Sequence, residues 1–215
     1  RRAAPAPDGP APPVLAQSGE QVYGVPFEGT TLLVRYLPAP NRDGRAVALI
    51  VHGVGDSQAG MIHYAAMFRE LGCHVVLMDL PGSGRSGGIM HTFGPLAADA
   101  IATVARGIRK NGLGISDWFP VDADRLIGLG TSMGGTSLVL AAQQQPELFD
   151  GIIIESAYAT VEGMAESMLG QLPPAVAWPV RHVGRPLFAW ETGASLDSID
   201  ATRDMARIDH LPKLF

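Results

Sequence analysis

The sequence has a single cysteine, no excess of basic residues and no long hydrophobic run. With only Cys73 available, no internal disulfide can form, which fits a reducing or an oxidising compartment equally well. Cys73 precedes the apolar run at residues 75–78, and this predicts a buried structural thiol. No apolar block approaches the roughly 20 residues that a membrane-spanning helix needs, so we expect no such helix.

The sequence also has fewer basic than acidic residues. It contains 16 Lys and Arg and 21 Asp and Glu, which gives a formal net charge of −5. Proteins that bind nucleic acid or anionic membranes usually carry a dense basic patch, and none is visible here. We therefore expect neither partner. Hydrophobic residues make up 47% of the 215 residues, which is enough for one well-buried core and predicts a single domain.

The first residues differ in composition from the rest. Residues 1–20 are rich in Ala and Pro and have no periodicity, which predicts a flexible tether ahead of a domain at residues 21–215. The sequence does not begin with Met. A removed signal peptide or membrane anchor would explain this, and so would a shortened sequence. A secreted or periplasmic location, a membrane-tethered one and a cytoplasmic one therefore all stay open.

Four short, continuous apolar blocks predict the strands of a parallel sheet, because strands buried on both faces have this pattern. Segments with helical spacing alternate with the blocks, which predicts an α/β fold with helices on both faces of the sheet. A hairpin over residues 22–36, turning at Glu28-Gly29, is expected at the sheet edge. The blocks are residues 47–51, 75–78, 126–129 and 152–154, and the helical segments are residues 60–71, 96–110 and 133–144.

This alternation breaks down after the fourth block. Residues 158–199 place Met, Leu, Trp and Phe between several prolines and show no convincing strand, which predicts a cap inserted into the domain. At the end of this segment Asp197 and Asp200 are suited to capping a helix.

The segment Gly130-Thr131-Ser132-Met133-Gly134 is a G-x-S-x-G motif between an apolar block and a helical segment. A serine at so sharp a turn has a strained backbone, and the flanking glycines remove side chains that would collide with neighbouring elements. Ser132 would be exposed, and the amide of Met133 would point to where an oxyanion forms. A glycine-rich turn without chemistry is the alternative, since the motif arises readily by chance in a chain with 26 glycines.

Two further segments follow the first and second blocks. His52-Gly53-Val54-Gly55 resembles an H-G-x-G oxyanion loop, and Asp79 to Gly87 resembles a D-x-x-G-x-G-x-S turn. With these three motifs in this order, the chain resembles the α/β-hydrolase-fold serine hydrolases, of the esterase and lipase kind, over residues 23–215. The resemblance implies that Ser132 is the nucleophile, that the amides of Val54 and Met133 hold the oxyanion, and that Gly130, Gly134, His52 and Gly53 support them.

The same glycine-rich segment contains a literal G-x-G-x-x-G at Gly82, Gly84 and Gly87, the fingerprint of dinucleotide-binding proteins. Such a site requires a helix to begin at the loop, whereas Gly88 and Pro95 follow here. We therefore expect no nucleotide, and the resemblance implies neither a metal nor an organic cofactor.

The rest of the catalytic triad is the open question. In this family an Asp or Glu follows the seventh strand and a His follows the eighth. Residues 208–215 resemble the lead-in and start of that seventh strand, so the C-terminal strands are expected to be missing and both residues to lie beyond Phe215. Glu155 is a weak candidate for the acid, although it is more simply a strand-end carboxylate. His182 and His210 are weaker candidates still for the base.

These residues predict a serine hydrolase that cleaves carboxylic esters through an acyl-enzyme. The expected substrate is a small molecule with an apolar acyl or aromatic group, held by an apolar wall of the cap. That wall would consist of Trp178, Leu187, Phe188 and Trp190. The alternative is a non-catalytic binding module with the same fold, because no histidine of the sequence occupies the expected place.

Overall fold

The computed structural model describes residues 19–41, 45–88, 94–109, 123–192 and 200–215, so residues 1–18 of the predicted tether, His91 and Asp197 lie outside it. Within the described part the chain forms one seven-stranded sheet. Its strands are β1 (Gln21–Phe27), β2 (Thr30–Leu37), β3 (Ala46–Val51), β4 (His74–Met78), β5 (Arg125–Thr131), β6 (Gly151–Glu155) and β7 (Lys213–Leu214). They lie in the order β1-β2-β4-β3-β5-β6-β7.

The first two strands form the predicted hairpin at one edge of the sheet. Its turn residues Glu28 and Gly29 have φ of 44° and 72°, the left-handed backbone that suits a two-residue hairpin turn. β2 continues the sheet by pairing antiparallel with β4.

The five strands from β3 to β7 are parallel, which confirms the predicted mostly parallel sheet. All five residues of β4 are buried, as expected of a strand covered on both faces. At the opposite edge from the hairpin, Lys213 and Leu214 pair with β6 as the seventh strand.

Helices cover both faces of this sheet. The three predicted helical segments form α1 (Ile62–Glu70), α2 (Pro95–Ile108) and α3 (Met133–Gln144). Alternate residues of β3 enter two separate apolar clusters, one containing most of α2 and α3 and the other containing α1. Cys73 is buried in the second cluster, where desolvation raises the pKa of its thiol, as predicted for a structural cysteine.

Between β6 and β7 the described residues form α4 (Val161–Leu169), α5 (Pro174–Thr192) and α6 (Ala201–Arg207). α6 packs against α3. At its N-terminus the Asp200 carboxylate accepts a hydrogen bond from the Arg203 amide at 3.0 Å, which confirms that Asp200 caps a helix. None of the helices in the described ranges is long and apolar enough to cross a membrane. The assignment of residues 158–199 to a separate cap stays a prediction.

Candidate active site

Ser132 occupies the turn between the end of β5 and the start of α3. Its backbone has φ 50° and ψ −120°, a left-handed conformation that costs a non-glycine residue on the order of 1–3 kcal/mol. The surrounding structure holds it there, since the Ser132 amide donates a hydrogen bond to the carbonyl of Glu155 at 2.8 Å. Its own carbonyl accepts a hydrogen bond from the Thr136 amide at 3.1 Å.

The glycines on either side of Ser132 allow this turn because they have no side chain, and a side chain at either position would collide with backbone atoms. A Cβ at Gly134 would lie 2.4 Å from the His52 carbonyl oxygen and 2.7 Å from that of Val51. A Cβ at Gly130 would lie 2.6 Å from the Gly134 carbonyl oxygen. Because backbone cannot move aside as a side chain can, both positions require glycine.

The loop after β3 lies directly against Ser132. A Cβ at Gly53 would be 3.1 Å from the Cβ of Ser132. The next residue, Val54, is exposed, and its amide has no hydrogen-bond acceptor within the described residues; the same holds for the amide of Met133. Two unused N–H donors therefore belong to residues adjacent to the contact between Gly53 and Ser132, and such donors can stabilise an oxyanion.

His52 is fully buried, and both of its ring nitrogens are engaged. Nε2 lies 3.0 Å from the Leu80 amide nitrogen, which can only donate, so Nε2 accepts and carries no proton. The proton is therefore on Nδ1, which donates to the Gly53 carbonyl at 2.7 Å. A histidine held in this way shapes the loop and has no free nitrogen to take a proton from Ser132.

Asp79 forms a second tie between the loops after β3 and β4. Its buried carboxylate accepts hydrogen bonds from the Gln58 amide at 2.7 Å, from Gln58 Nε2 at 2.8 Å and from the Arg85 amide at 2.9 Å. Gly84, with φ 55°, packs so closely on this carboxylate that a Cβ there would clash. Sequence reasoning identified the motif of Asp79 but missed Gln58 as the partner of Asp79 and Leu80 as the partner of His52, because no pattern marks either pair.

Replacing Asp79 with alanine is expected to lower the free energy of unfolding by about 3 kcal/mol, since the buried donors that it satisfies would be left unpaired. Urea unfolding measures this change. The control is Asp99→Ala, because the Asp99 side chain is exposed on α2. Equal losses in the two variants would show that the Asp79 carboxylate does not anchor these loops.

Glu155 lies beside the turn, but its carboxylate points elsewhere. It is exposed and accepts a hydrogen bond from the Tyr64 hydroxyl of α1. Only its backbone carbonyl meets Ser132. The structure therefore places the backbone of Glu155 close to Ser132 in the sheet. A role of Glu155 as the catalytic acid stays a prediction.

No histidine in the described ranges forms a hydrogen bond with Ser132, whose hydroxyl has no partner there. His74 is buried against the Tyr36 hydroxyl, and His182 packs its ring against Trp178 at 4.6 Å. His210 precedes the start of β7, whereas Ser132 follows the end of the parallel β5, so the two residues lie at opposite ends of the sheet. Within the same ranges, no cluster of three or more potential metal ligands occurs.

Two further surfaces lie outside this turn. Trp178, Leu187 and Trp190 of the predicted wall are exposed on α5, and the side chain of Phe188 lies outside the described atoms. A groove of about 540 Å³ runs beside the first residues of β5, β6 and β7. Because Ser132 follows the last residue of β5, this groove is at the wrong end of the sheet to hold a substrate for it.

Comparison with known proteins places these observations in a family. A sequence model described as "Serine aminopeptidase, S33" matches residues 42–213. An esterase from Pyrococcus furiosus has a similar structure, with a TM-score of 0.64 and 16% identity over 100% of this chain and 88% of that one. No curated protein matches the sequence.

Two other solved structures share the fold over a smaller part of their length. Est1E from Butyrivibrio proteoclasticus, with ferulic acid bound, has a TM-score of 0.55 and 20% identity over 67% of this chain and 56% of its own. A thioesterase domain from the curacin biosynthetic pathway has a TM-score of 0.52 and 18% identity over 70% of this chain and 50% of its own. This chain thus spans about half the length of both.

Proposed function

The chain belongs to the serine aminopeptidase S33 family of α/β hydrolases, and on this premise we propose that it hydrolyses carboxylic esters with Ser132 as its nucleophile. The observation that carries the proposal is the strained turn at Ser132, held against a loop whose Val54 amide has no acceptor among the described residues. A serine held in an unfavourable backbone conformation by close glycine contacts is typical of a functional site.

In the proposed reaction Ser132 Oγ forms a bond to the ester carbonyl carbon while its proton passes to a base. The amides of Val54 and Met133 stabilise the oxyanion that develops on the carbonyl oxygen. The tetrahedral intermediate then breaks its bond to the alcohol oxygen, which takes the proton, and an acyl-enzyme remains. Water adds to the acyl carbon in the same way and releases the carboxylic acid and Ser132.

The proposal requires a base, and the described residues place none beside Ser132. His52 has no free nitrogen, and the exposed His182 and His210 form no hydrogen bond with Ser132 within the described ranges. A histidine outside the described ranges, oriented by a carboxylate, therefore has to supply this function. Its absence would leave a serine hydroxyl that is protonated at neutral pH and attacks esters poorly.

The proposed substrate is a small carboxylic ester with an apolar acyl or aromatic group. The ferulic acid bound to Est1E, an aromatic acid, supports this preference, as does the exposed aromatic ring of Trp178 on α5. p-Nitrophenyl esters of graded acyl length test the preference directly. Aminoacyl p-nitroanilides belong in the same panel, and cleavage of these alone would assign peptide-bond hydrolysis, as the family description suggests, in place of ester hydrolysis.

A fluorophosphonate probe is expected to label the protein at Ser132, because an activated serine beside two oxyanion donors is unusually nucleophilic. Peptide mass spectrometry locates the label. Ser132→Ala should abolish it, and Ser167→Ala, at an exposed serine of α4, should leave it intact.

The absence of an observed base also favours a second candidate function, a binding module that keeps the pocket without catalysis. Labelling at Ser132 would exclude this candidate. A folded protein that is neither labelled nor active on the ester panel would support it and contradict the ester-hydrolase proposal.

A further inference from the structure

α5 presents to solvent a continuous apolar stripe that the described part of the chain leaves uncovered. The exposed residues recur at spacings of four, three, four and three, so they share one side of the helix. This set, called here the α5 stripe, consists of Val176 (47% exposed), Val180 (46%), Val183 (63%), Leu187 (53%) and Trp190 (82%).

The opposite side of α5 is held by α4. Arg181 donates to the Glu166 carboxylate at 2.6 Å and 3.1 Å, and Arg185 forms an ion pair with Glu162. The hydrogen bond from Arg181 lowers the pKa of Glu166. Among the described elements, only α4 makes more than marginal contact with α5. The ion pairs therefore orient the helix so that its charges face α4 and its stripe faces outward.

A surface of this size requires a partner. α5 is about 28 Å long at 1.5 Å per residue, and a single aromatic side chain can bury about 150–250 Å². Contiguous exposed apolar patches above a few hundred Å² mark interaction sites on soluble proteins. Because the α5 stripe contains four aliphatic side chains in addition to Trp190, its exposed apolar area reaches a few hundred Å².

The order of residues along the stripe suits a second copy of the same chain. When two α5 helices lie antiparallel about a two-fold axis at Val183, that residue meets its own copy, Val180 meets Leu187, and Val176 meets Trp190. Val176 and Val180 then each face a larger side chain, and Val183 at the axis meets a side chain of its own size, so the volumes are balanced on the two sides of the axis. Gly184 follows Val183 and has no side chain, and a Cβ there would meet only Val180 Cγ1 among the described side chains, at 3.8 Å, so the helices have room to approach closely.

The charges favour a copy of the chain over a lipid surface. Helices that lie on membranes carry free Lys and Arg on their polar side, whereas Arg181 and Arg185 are neutralised by glutamates of α4. None of the five stripe residues is charged, so their contact with a second copy buries no charge of their own.

We propose that the protein self-associates as a two-fold dimer through antiparallel contact of its α5 stripes. Sedimentation equilibrium of the wild-type protein over a concentration series should show dimers. Val183→Arg and Val183→Glu should each weaken self-association about 100-fold or more, because each puts like charges opposite one another on the axis. Mixing these two variants should restore a dimer with one copy of each, since Arg then faces Glu.

Val183 is exposed, so neither substitution disturbs the core, and circular dichroism checks folding. The control is Trp178→Glu, which removes an equally exposed side chain of α5 outside the stripe and should leave dimers intact. A wild-type protein that is monomeric at millimolar concentration would overturn the proposal. So would dimers that survive in both Val183 variants, or a monomer whose stripe variants lose binding to anionic lipid vesicles. Because sedimentation equilibrium measures only the mass of the protein in solution, its result does not depend on whether the protein hydrolyses esters.

Discussion

Ser132→Ala is expected to lower kcat/KM for ester hydrolysis by about 10⁵-fold to 10⁶-fold, because removal of the nucleophile leaves only binding and oxyanion stabilisation. The variant keeps the Cβ at this position and all the backbone hydrogen bonds of the turn, including the 2.8 Å bond from Ser132 to Glu155. Its fold and its free energy of unfolding should therefore change little. Hydrolysis of a short p-nitrophenyl ester, measured beside urea unfolding, separates the two effects.

The matched control for this experiment is Ser167→Ala, whose hydroxyl is exposed on α4 and should retain full activity. A Ser132→Ala protein with more than about one hundredth of the wild-type kcat/KM would remove Ser132 from the proposed mechanism, since residual catalysis by the oxyanion donors is far smaller than this. Another serine or a different reaction would then have to be sought.

Gly134→Val is the second large effect, and it should reduce activity at least about 10³-fold although Ser132 is untouched. The new Cβ would lie 2.4 Å from the His52 carbonyl oxygen and 2.7 Å from that of Val51. Since these oxygens belong to the end of β3 and its loop, α3 would have to move away from the sheet. We also expect the free energy of unfolding to fall by about 3 kcal/mol or more.

The comparison for Gly134 is Gly184→Val, which places the same side chain in a helix where only Val180 Cγ1 comes within 4 Å, at 3.8 Å. It should cost no stability through helix propensity, because valine is a better helix former than glycine, and it should leave the hydrolytic rate near wild type. Equal effects of the two substitutions on activity would mean that the packing of Gly134 on β3 does not position the site.

Several elements were predictable because burial leaves a local pattern in sequence. The strands β3 to β6 are covered on both faces and therefore appear as continuous apolar blocks. α3 was predicted with both of its ends correct, because a glycine-rich turn precedes it and Pro146 follows it closely. Burial of Cys73 and the cap formed by Asp200 were predicted from neighbours within a few residues.

Contacts between distant segments could not be predicted in this way. Gln58 binds Asp79 across 21 residues, and His52 accepts from Leu80 across 28, yet neither pair shows a spacing that would identify it. The outward direction of the α5 stripe depends on the ion pairs from Arg181 and Arg185 to α4, which proline-rich sequence does not indicate.

The amino-acid sequence alone therefore determined the parallel sheet, its covering helices and the position of Ser132 between β5 and α3, because each depends on periodicity or on a short motif. The tertiary structure decided which backbone atoms crowd Gly134, which groups occupy both nitrogens of His52 and which backbone segment meets Ser132. These properties depend on distances between segments far apart in the chain, and such distances exist only once the sheet has assembled.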